Sequence, residues 1–284
     1  MSVQAIILAF SLTLMAGLAT GVGGLLVFFT KRLSPKFLAG SLGLSAGVMI
    51  YISFVEIFPK SLESLAEVYG DMHGYIYATI AFFIGVGLIA LIDKLVPNYE
   101  NPHEPRDVAE IDCEELRSQH QDKGQRKHTP EEKQEFKRLG GFSAFAIALH
   151  NFPEGLVTFM AALYDPALGI TIAVAIAIHN IPEGVAIAVP IYYATESRKK
   201  ALFWSILAGL AEPVGALLGF FLLRAFLSES LFGYAFALVA GIMVYISLDE
   251  LLPTAEKYGE HHVAIIGVFS GMVIMAASLI LLGG

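Results

Sequence analysis

A six-residue motif of histidine, asparagine, proline and glutamate occurs twice in the sequence. It reads His150-Asn-Phe-Pro-Glu-Gly155 at its first occurrence and His179-Asn-Ile-Pro-Glu-Gly184 at its second. On a helix, residues four apart lie on one face, so each histidine shares a face with its glutamate, and the asparagine lies on the adjoining edge. Two such faces opposed across a helix pair would gather two imidazoles, two carboxylates and two amides. These groups can hold one divalent cation, or two cations bridged by the glutamates.

Three glutamates lie in apolar segments that offer them no nearby basic residue. Glu154 and Glu183 are about midway along segments without lysine or arginine, and Glu212 is followed by Pro213, with Arg224 as the next basic residue. An ionised carboxylate at the centre of a bilayer costs at least about 2.5–3.5 kcal/mol. The three carboxylates therefore require a cation, or they are protonated. Interhelical hydrogen bonds and a proton relay through neutral carboxyls are the alternatives.

The composition identifies the chain as a membrane protein. Of its 284 residues, 56% are hydrophobic and only 15% are charged, whereas a soluble domain is usually about 25% charged. The single cysteine, Cys113, excludes a disulfide scaffold and a cysteine-based zinc fold. The net charge of −8 argues against nucleic-acid binding, which requires clustered lysine and arginine. Because no alternating β-barrel pattern is present, membrane-spanning segments must be helical.

Eight apolar runs are long enough to cross a bilayer as helices, which takes about 20 residues each. We predict spans one to eight at residues 4–29, 37–59, 74–96, 142–164, 167–194, 201–227, 231–253 and 262–283. The predicted fold class is therefore all-α, a polytopic membrane protein with eight transmembrane helices. Residues 1–97 hold spans one to three, residues 98–141 form a hydrophilic insert, and residues 142–284 hold spans four to eight. The proline of each histidine motif is predicted to interrupt its helix.

The placement of the basic residues predicts the orientation of the chain in the membrane. The connections after spans one, three, five and seven, together with Lys94 at the end of span three, hold 16 of the 18 lysines and arginines. Because cytoplasmic connections are enriched in these residues, we expect both termini outside the plasma (inner) membrane and the 98–141 insert in the cytoplasm. The insert contains His103, His120 and His128, which either bind metal or belong to a solvated linker. Its segment 131–138 is predicted to form a short charged helix that leads into span four.

A second repeat relates span two to span seven. The segments Gly47–Pro59 and Gly241–Pro253 share Gly, Met, Tyr, Ile, Ser, Glu and Pro at matching positions. Five spans separate the copies, so they cross the membrane in opposite directions. This arrangement is typical of transporters with inverted repeats, here spans one to three and six to eight. Glu56 near the outer end of span two, and Asp249 and Glu250 near the inner end of span seven, are either entrance and exit carboxylates or solvated helix ends.

The paired histidine motifs resemble the signature of the ZIP metal transporters. The eight spans, the hydrophilic loop between spans three and four, and Gly209-Leu-Ala-Glu-Pro213 in span six are similar to the same family along the whole chain. The resemblance implies a binuclear metal centre at mid-membrane. It implies that one metal is bound by His150, Glu154, His179 and Glu183, and that the second is bound by Asn151, Asn180 and Glu212, which share Glu154 and Glu183 with the first.

Two details of the resemblance concern metal preference. Met49 matches a span-two methionine that can approach the first metal in relatives, and packing in the core is the alternative for this residue. Some members of the family carry Gln-Asp where this chain has His179-Asn180. Their metal preference is therefore not expected to apply to this chain.

The predicted function is secondary import of divalent metal into the cytoplasm, chiefly Zn(II), with Fe(II), Mn(II), Co(II) and Cd(II) as further candidates. The metal is the substrate, no cofactor and no enzyme activity are predicted, and the resemblance implies a homodimer in the lipid bilayer. The chain lacks a phosphate-binding loop for ATP hydrolysis, so the metal gradient and the membrane potential would supply the energy. The resemblance also implies alternating access, in which spans one, four, five and six move against spans two, three, seven and eight.

Two alternatives belong to other functional classes. A membrane-embedded zinc hydrolase would require an open metal position and a general base. The sequence has no His-Glu-x-x-His motif, and its glutamates are expected to be ligands, which leaves no clear base. An ion channel would conflict with chelating side chains, because these would hold a metal too firmly for fast flow.

Overall fold

The computed structural model describes residues 2–29, 35–95, 130–223, 228–258 and 261–282. Within these ranges every regular element is helical, which confirms the all-α fold class. Seven helices of the described residues are long and apolar enough to cross a membrane, judged by length and composition. They correspond to spans one to three and five to eight. Span four belongs to a helix with several side chains outside the described residues, so the count of eight remains a prediction.

The observed helices extend most of the predicted spans. Span one is Val3–Phe29, span three is Asp71–Leu95, span four is Pro130–Tyr164, span five is Pro166–Thr195 and span eight is His261–Leu282. Span six consists of Arg198–Gly209 and Ala211–Leu223, which are separated at Leu210. Span two consists of Pro35–Ile52, Ser53–Ile57 and Phe58–Tyr69, and span seven of Glu229–Ile246, Ser247–Leu251 and Leu252–Tyr258.

The connection between spans four and five is as short as the sequence predicts. Asp165 separates the two helices, and its side chain accepts a hydrogen bond from the backbone N–H of Ala167 at 2.8 Å. Pro166 occupies the first helical position, where its missing N–H costs nothing. Spans four and five therefore form a tight pair, and this pair brings the two histidine motifs together.

Span four begins well before its predicted start. The segment 131–138, predicted as a short charged helix, is continuous with the apolar part of the span. Pro153 and Pro182 both lie inside continuous helices, so the predicted interruptions are not breaks. Packing against neighbouring helices makes such prolines tolerable in a membrane bundle. Most of the predicted insert, with His103, His120 and His128, lies outside the described residues.

Spans two and seven each contain one π-helical turn at matching positions of the repeat. In span two the N–H of Phe58 bonds to the carbonyl of Ser53, five residues earlier rather than four. In span seven the N–H of Leu252 bonds to the carbonyl of Ser247 in the same way. A proline follows each donor, and the wider turn accommodates a residue that has no N–H and crowds the preceding turn.

The π turns change the predicted surroundings of three carboxylates. Because each helix passes through its proline, span two continues to Tyr69 and span seven to Tyr258. Glu56, Asp249 and Glu250 therefore lie within half-buried π turns, not near the helix ends where the sequence places them.

The helices pack in two groups. Spans one, four, five and six pack extensively on one another, whereas span two packs against spans three, seven and eight, and span seven packs against span three. The groups meet mainly where span two contacts span five and where span four contacts span seven. This division matches the one that the family resemblance implies. Close approach within the second group depends on glycine: a Cβ at Gly47 would collide with the carbonyl of Val268, and one at Gly241 with that of Phe82.

The outside of the bundle carries large apolar side chains. Phe83 is 63% exposed, Ile266 is 66% exposed and Leu281 is 84% exposed. Such a surface is unfavourable in water and suited to lipid. The polar groups that matter for chemistry lie inside the bundle instead.

Candidate metal centre

Glu154 of span four and His179 of span five are in contact at the centre of the bundle. The Nε2 atom of His179 lies 3.2 Å from Oε1 and 3.3 Å from Oε2 of Glu154. Glu154 is 1% exposed and His179 is 0% exposed. The hydroxyl of Thr158 donates a hydrogen bond to the backbone carbonyl of Glu154 at 2.8 Å. The two histidine motifs thus face each other across the helix pair, as their spacing predicts.

The two asparagines of the motifs are anchored to backbone carbonyls of spans one and six. Asn180 Nδ2 donates to the carbonyl of Ala16 at 2.9 Å, and Asn151 Nδ2 donates to the carbonyl of Ala208 at 3.4 Å. Asn180 Nδ2 also donates to Glu212 Oε1. Because a carbonyl can only accept a hydrogen bond, each amide turns its nitrogen to the carbonyl and leaves its oxygen for another partner.

Several buried oxygens of this region have no hydrogen-bond partner among the described residues. They include Asn151 Oδ1, Asn180 Oδ1 and Glu212 Oε2. A buried acceptor without a donor costs roughly 1–3 kcal/mol. Carboxylate and amide oxygens are ligands of hard divalent cations, which accept their lone pairs directly. The oxygens therefore fit a divalent metal ion as their partner.

Ser45 of span two reaches the same region from the other group of helices. Its hydroxyl donates to Glu183 Oε1 at 3.2 Å and lies 3.3 Å from the carbonyl oxygen of His179. Ser45 is fully buried, as is Met49, which follows one turn later on the same face of the helix. Met49 is among the residues that the sequence predicts for the site, whereas Ser45 was missed. Ser45 could have been found from the sequence because it lies four residues before Met49, on the same face of the helix.

The glycine that ends each histidine motif allows close contact between helices. A Cβ at Gly155 would collide with the carbonyl group of Glu212 on span six. A Cβ at Gly184 would collide with the carbonyl group of Thr20 on span one. Glu154 and Glu183, which directly precede these glycines, are thus held one residue away from a helix crossing.

Three contacts link described side chains of the site. Among the described side chains, no three or more of His, Cys, Asp and Glu lie close enough together to hold a metal ion by themselves. The contacts join Glu154 to His179, Glu212 to Asn180 and Glu183 to Ser45. The backbone of His150 belongs to span four, but its side chain lies outside the described residues. The assignment of these residues as metal ligands remains a prediction.

Comparison with known proteins decides the family. A profile described as ZIP zinc transporter matches residues 3–279. The chain belongs to the ZIP zinc transporter family. It is 58% identical to the zinc transporter ZupT of Chlorobaculum parvum over 98% of both chains, and 57% identical to ZupT of Nitratidesulfovibrio vulgaris over 97% of both. It is also 53% identical to ZupT of Clostridium perfringens, over 97% of this chain and 96% of that one.

Membership of the ZIP family bears on two predictions from the sequence. It indicates a multi-pass membrane transporter rather than a catalytic enzyme. It gives no support to the zinc hydrolase alternative, since the similar proteins are named as zinc transporters.

Three further carboxylates of this ZIP protein that are candidates for metal binding lie apart from the contacts described above. Glu56 is two helical turns beyond Met49 on span two, and Glu250 holds the matching position on span seven beside Asp249. All three carboxylates are half-buried within the π turns. π turns inside α-helices are frequent at functional sites. Glu56, Asp249 and Glu250 remain candidates for entrance and exit carboxylates.

Proposed function

We propose that this ZIP family member imports divalent metal ions into the cytoplasm, chiefly Zn²⁺, with Fe²⁺, Mn²⁺, Co²⁺ and Cd²⁺ as further substrates. The observation that carries the proposal is the burial of three carboxylates, Glu154, Glu183 and Glu212, inside a membrane bundle. Their described hydrogen-bond partners are an imidazole, a hydroxyl and an amide. A divalent cation would supply the positive charge that such carboxylates require away from water.

The proposed ligands form two adjoining metal positions. His150, Glu154, His179 and Glu183 bind the first metal, for which Met49 is a further candidate ligand. Asn151, Asn180 and Glu212 bind the second metal and share Glu154 and Glu183 with the first. Imidazole nitrogens suit Zn²⁺ and other transition metals, whereas an all-oxygen set suits harder ions such as Mn²⁺. This difference supports a site that accepts several divalent metals and releases them again.

Transport by alternating access is the proposed mechanism. Spans one, four, five and six carry nearly all the ligands, and they would move as a unit against spans two, three, seven and eight. The packing of the helices into these two groups supports this division, and the hydrogen bond from Ser45 to Glu183 lies where the groups meet. The metal gradient and an inside-negative membrane potential would drive a cation inward.

The proposed orientation places both termini outside the plasma membrane and the 98–141 insert in the cytoplasm. It is supported by the basic residues, which lie mostly in the insert and in the other connections on the same side. In this orientation the π turn with Glu56 lies toward the outside and the π turn with Glu250 toward the cytoplasm. Metal would therefore pass from Glu56 through the centre to Asp249 and Glu250.

Uptake by the purified protein in lipid vesicles tests the proposal. We expect saturable uptake of radioactive zinc above that of empty vesicles, competition by other divalent metals, and faster uptake when the inside is negative. Repeating the measurement with and without a pH gradient determines whether protons are coupled to the metal. Zinc uptake no greater than in empty vesicles would contradict the proposal.

A further inference from the structure

Span one contains a close copy of the span-six segment around Glu212. Residues 16–26 read Ala-Gly-Leu-Ala-Thr-Gly-Val-Gly-Gly-Leu-Leu, and residues 208–218 read Ala-Gly-Leu-Ala-Glu-Pro-Val-Gly-Ala-Leu-Leu. Eight of the eleven positions are identical. Thr20 occupies the position of Glu212. The two repeats described above relate span two to span seven and span four to span five, so this pair is a third repeat.

The contacts of spans one and six repeat this relationship in space. The helices cross at Gly17 and Gly209, where a Cβ on either glycine would collide with the carbonyl of the other. A Cβ on Gly17 would lie 3.4 Å from the Cβ of Glu212, and one on Gly209 would lie 3.0 Å from the Cβ of Thr20. Thr20 and Glu212 thus flank the crossing in equivalent positions.

The asparagines of the histidine motifs follow the same two-fold relationship. Asn180 donates to the carbonyl of Ala16, and Asn151 donates to that of Ala208, which is the equivalent residue of span six. Likewise, Gly184 abuts the backbone of Thr20 as Gly155 abuts that of Glu212. By this correspondence, the pair of Asn180 and Glu212 matches the pair of Asn151 and Thr20 in sequence position.

The buried hydroxyl of Thr20 has no hydrogen-bond partner among the described residues. The residue is 0% exposed. Thr13, two turns earlier on the same helix, is equally buried, but its hydroxyl donates to the carbonyl of Ala9 at 2.9 Å. The carbonyl that Thr20 would use in the same way, that of Ala16, accepts a hydrogen bond from Asn180. A buried hydroxyl without a partner is costly unless a ligand satisfies it.

We propose that Thr20 is a further metal ligand, whose hydroxyl oxygen binds the second metal from span one as Glu212 binds it from span six. The inference rests on the transport function proposed above. Thr20 Oγ1 is one of the buried oxygens of this region without a partner among the described residues, which include Asn151 Oδ1, Asn180 Oδ1 and Glu212 Oε2. A neutral hydroxyl adds a ligand without adding charge, so the centre can still release its metal. Oxygen ligands favour hard cations, and the hydroxyl therefore matters more for Mn²⁺ than for Zn²⁺.

Metal competition by three variants tests the role of Thr20. Thr20→Val removes the hydroxyl at nearly constant volume, Thr20→Ser retains it, and Thr13→Val is the matched control on the same helix. The readouts are equilibrium binding of Zn²⁺ and Mn²⁺ to the purified protein by calorimetry, and inhibition of zinc uptake by Mn²⁺ in vesicles. We expect Thr20→Val to weaken Mn²⁺ binding about tenfold, with a smaller effect on Zn²⁺. Thr20→Ser and Thr13→Val should behave as the wild type.

The outcomes separate this inference from the proposed function. If the wild type transports zinc and Thr20→Val has an unchanged preference between Zn²⁺ and Mn²⁺, Thr20 is not a ligand. Equal losses in Thr20→Val and Thr13→Val would also overturn the inference, because they would indicate packing alone. If the wild type neither binds nor transports metal, the proposed function itself fails.

Discussion

The hydroxyl of Ser45 donates a hydrogen bond to Glu183 Oε1 across 3.2 Å, between two helices that belong to different groups. Span two, which carries Ser45, packs with spans three, seven and eight, whereas span five, which carries Glu183, packs with spans one, four and six. In the proposed centre this hydrogen bond would hold the carboxylate of Glu183 in position for a metal ion. The contact therefore joins the two groups of helices at a candidate metal ligand.

Replacing Ser45 with alanine should impair zinc uptake. Hydrogen bonds to charged groups contribute about 1.5–3 kcal/mol, so we expect Ser45→Ala to raise the zinc concentration for half-maximal uptake about tenfold or more. Ser205→Ala is the matched control, since the hydroxyl of Ser205 bonds to the carbonyls of Gly184 and Ala201 within a single group of helices. Equal effects of the two variants in a zinc titration of uptake would contradict the role of Ser45.

Replacing His179 should change the order of preference among metals. The imidazole of His179 contacts Glu154, and its replacement by glutamine substitutes an oxygen ligand for a nitrogen ligand. Because imidazole favours Zn²⁺ and oxygen favours Mn²⁺, we expect His179→Gln to lower the preference for Zn²⁺ relative to Mn²⁺ and Fe²⁺. The measurement is competition for uptake of radioactive zinc. An unchanged competition profile would rule out a role for His179 in the first metal position.

The sequence predicts the paired centre because helical spacing is regular. The four-residue spacing within each motif puts His179 and Glu154 on facing surfaces, and these two side chains do meet in the structure. The π turns were not predicted, because the predicted spans stop at Pro59 and Pro253 and the response of the backbone to these prolines depends on neighbouring helices. Ser45 was missed for a different reason: a single serine in an apolar helix acquires meaning only from the partner that packing brings to it.

Adding one methyl group at Gly155 should damage the site. A Cβ there would meet the backbone of Glu212, whereas one at Gly87 of span three meets nothing within 4 Å. Overpacking typically costs about 1–3 kcal/mol, so we expect Gly155→Ala to lower the thermal stability in detergent and to reduce zinc uptake. Gly87→Ala is the control and should be neutral or slightly stabilising. Similar unfolding temperatures for both variants would show that the contact between spans four and six is looser than described.

The single cysteine of the chain provides a test of orientation. Cys113 lies in the hydrophilic insert, outside the described residues. If the insert is cytoplasmic, a membrane-impermeant maleimide should label Cys113 only after the cells are opened. A Ser2→Cys variant that also carries Cys113→Ser should be labelled in intact cells, because the N-terminus is expected outside. The reverse pattern would invert the proposed path of the metal.

Removing the charge of Glu183 without changing its shape tests the central claim most directly. Glu183→Gln retains an oxygen that can accept the hydrogen bond from Ser45, but it removes the negative charge shared by both proposed metal positions. Glu63→Gln is the control, since Glu63 is 64% exposed in its contact with Lys60. With both proteins folded in vesicles, we expect Glu183→Gln to reduce radioactive zinc uptake at least about 100-fold and Glu63→Gln to leave it unchanged. Uptake by Glu183→Gln close to that of the wild type would contradict a metal centre at this carboxylate.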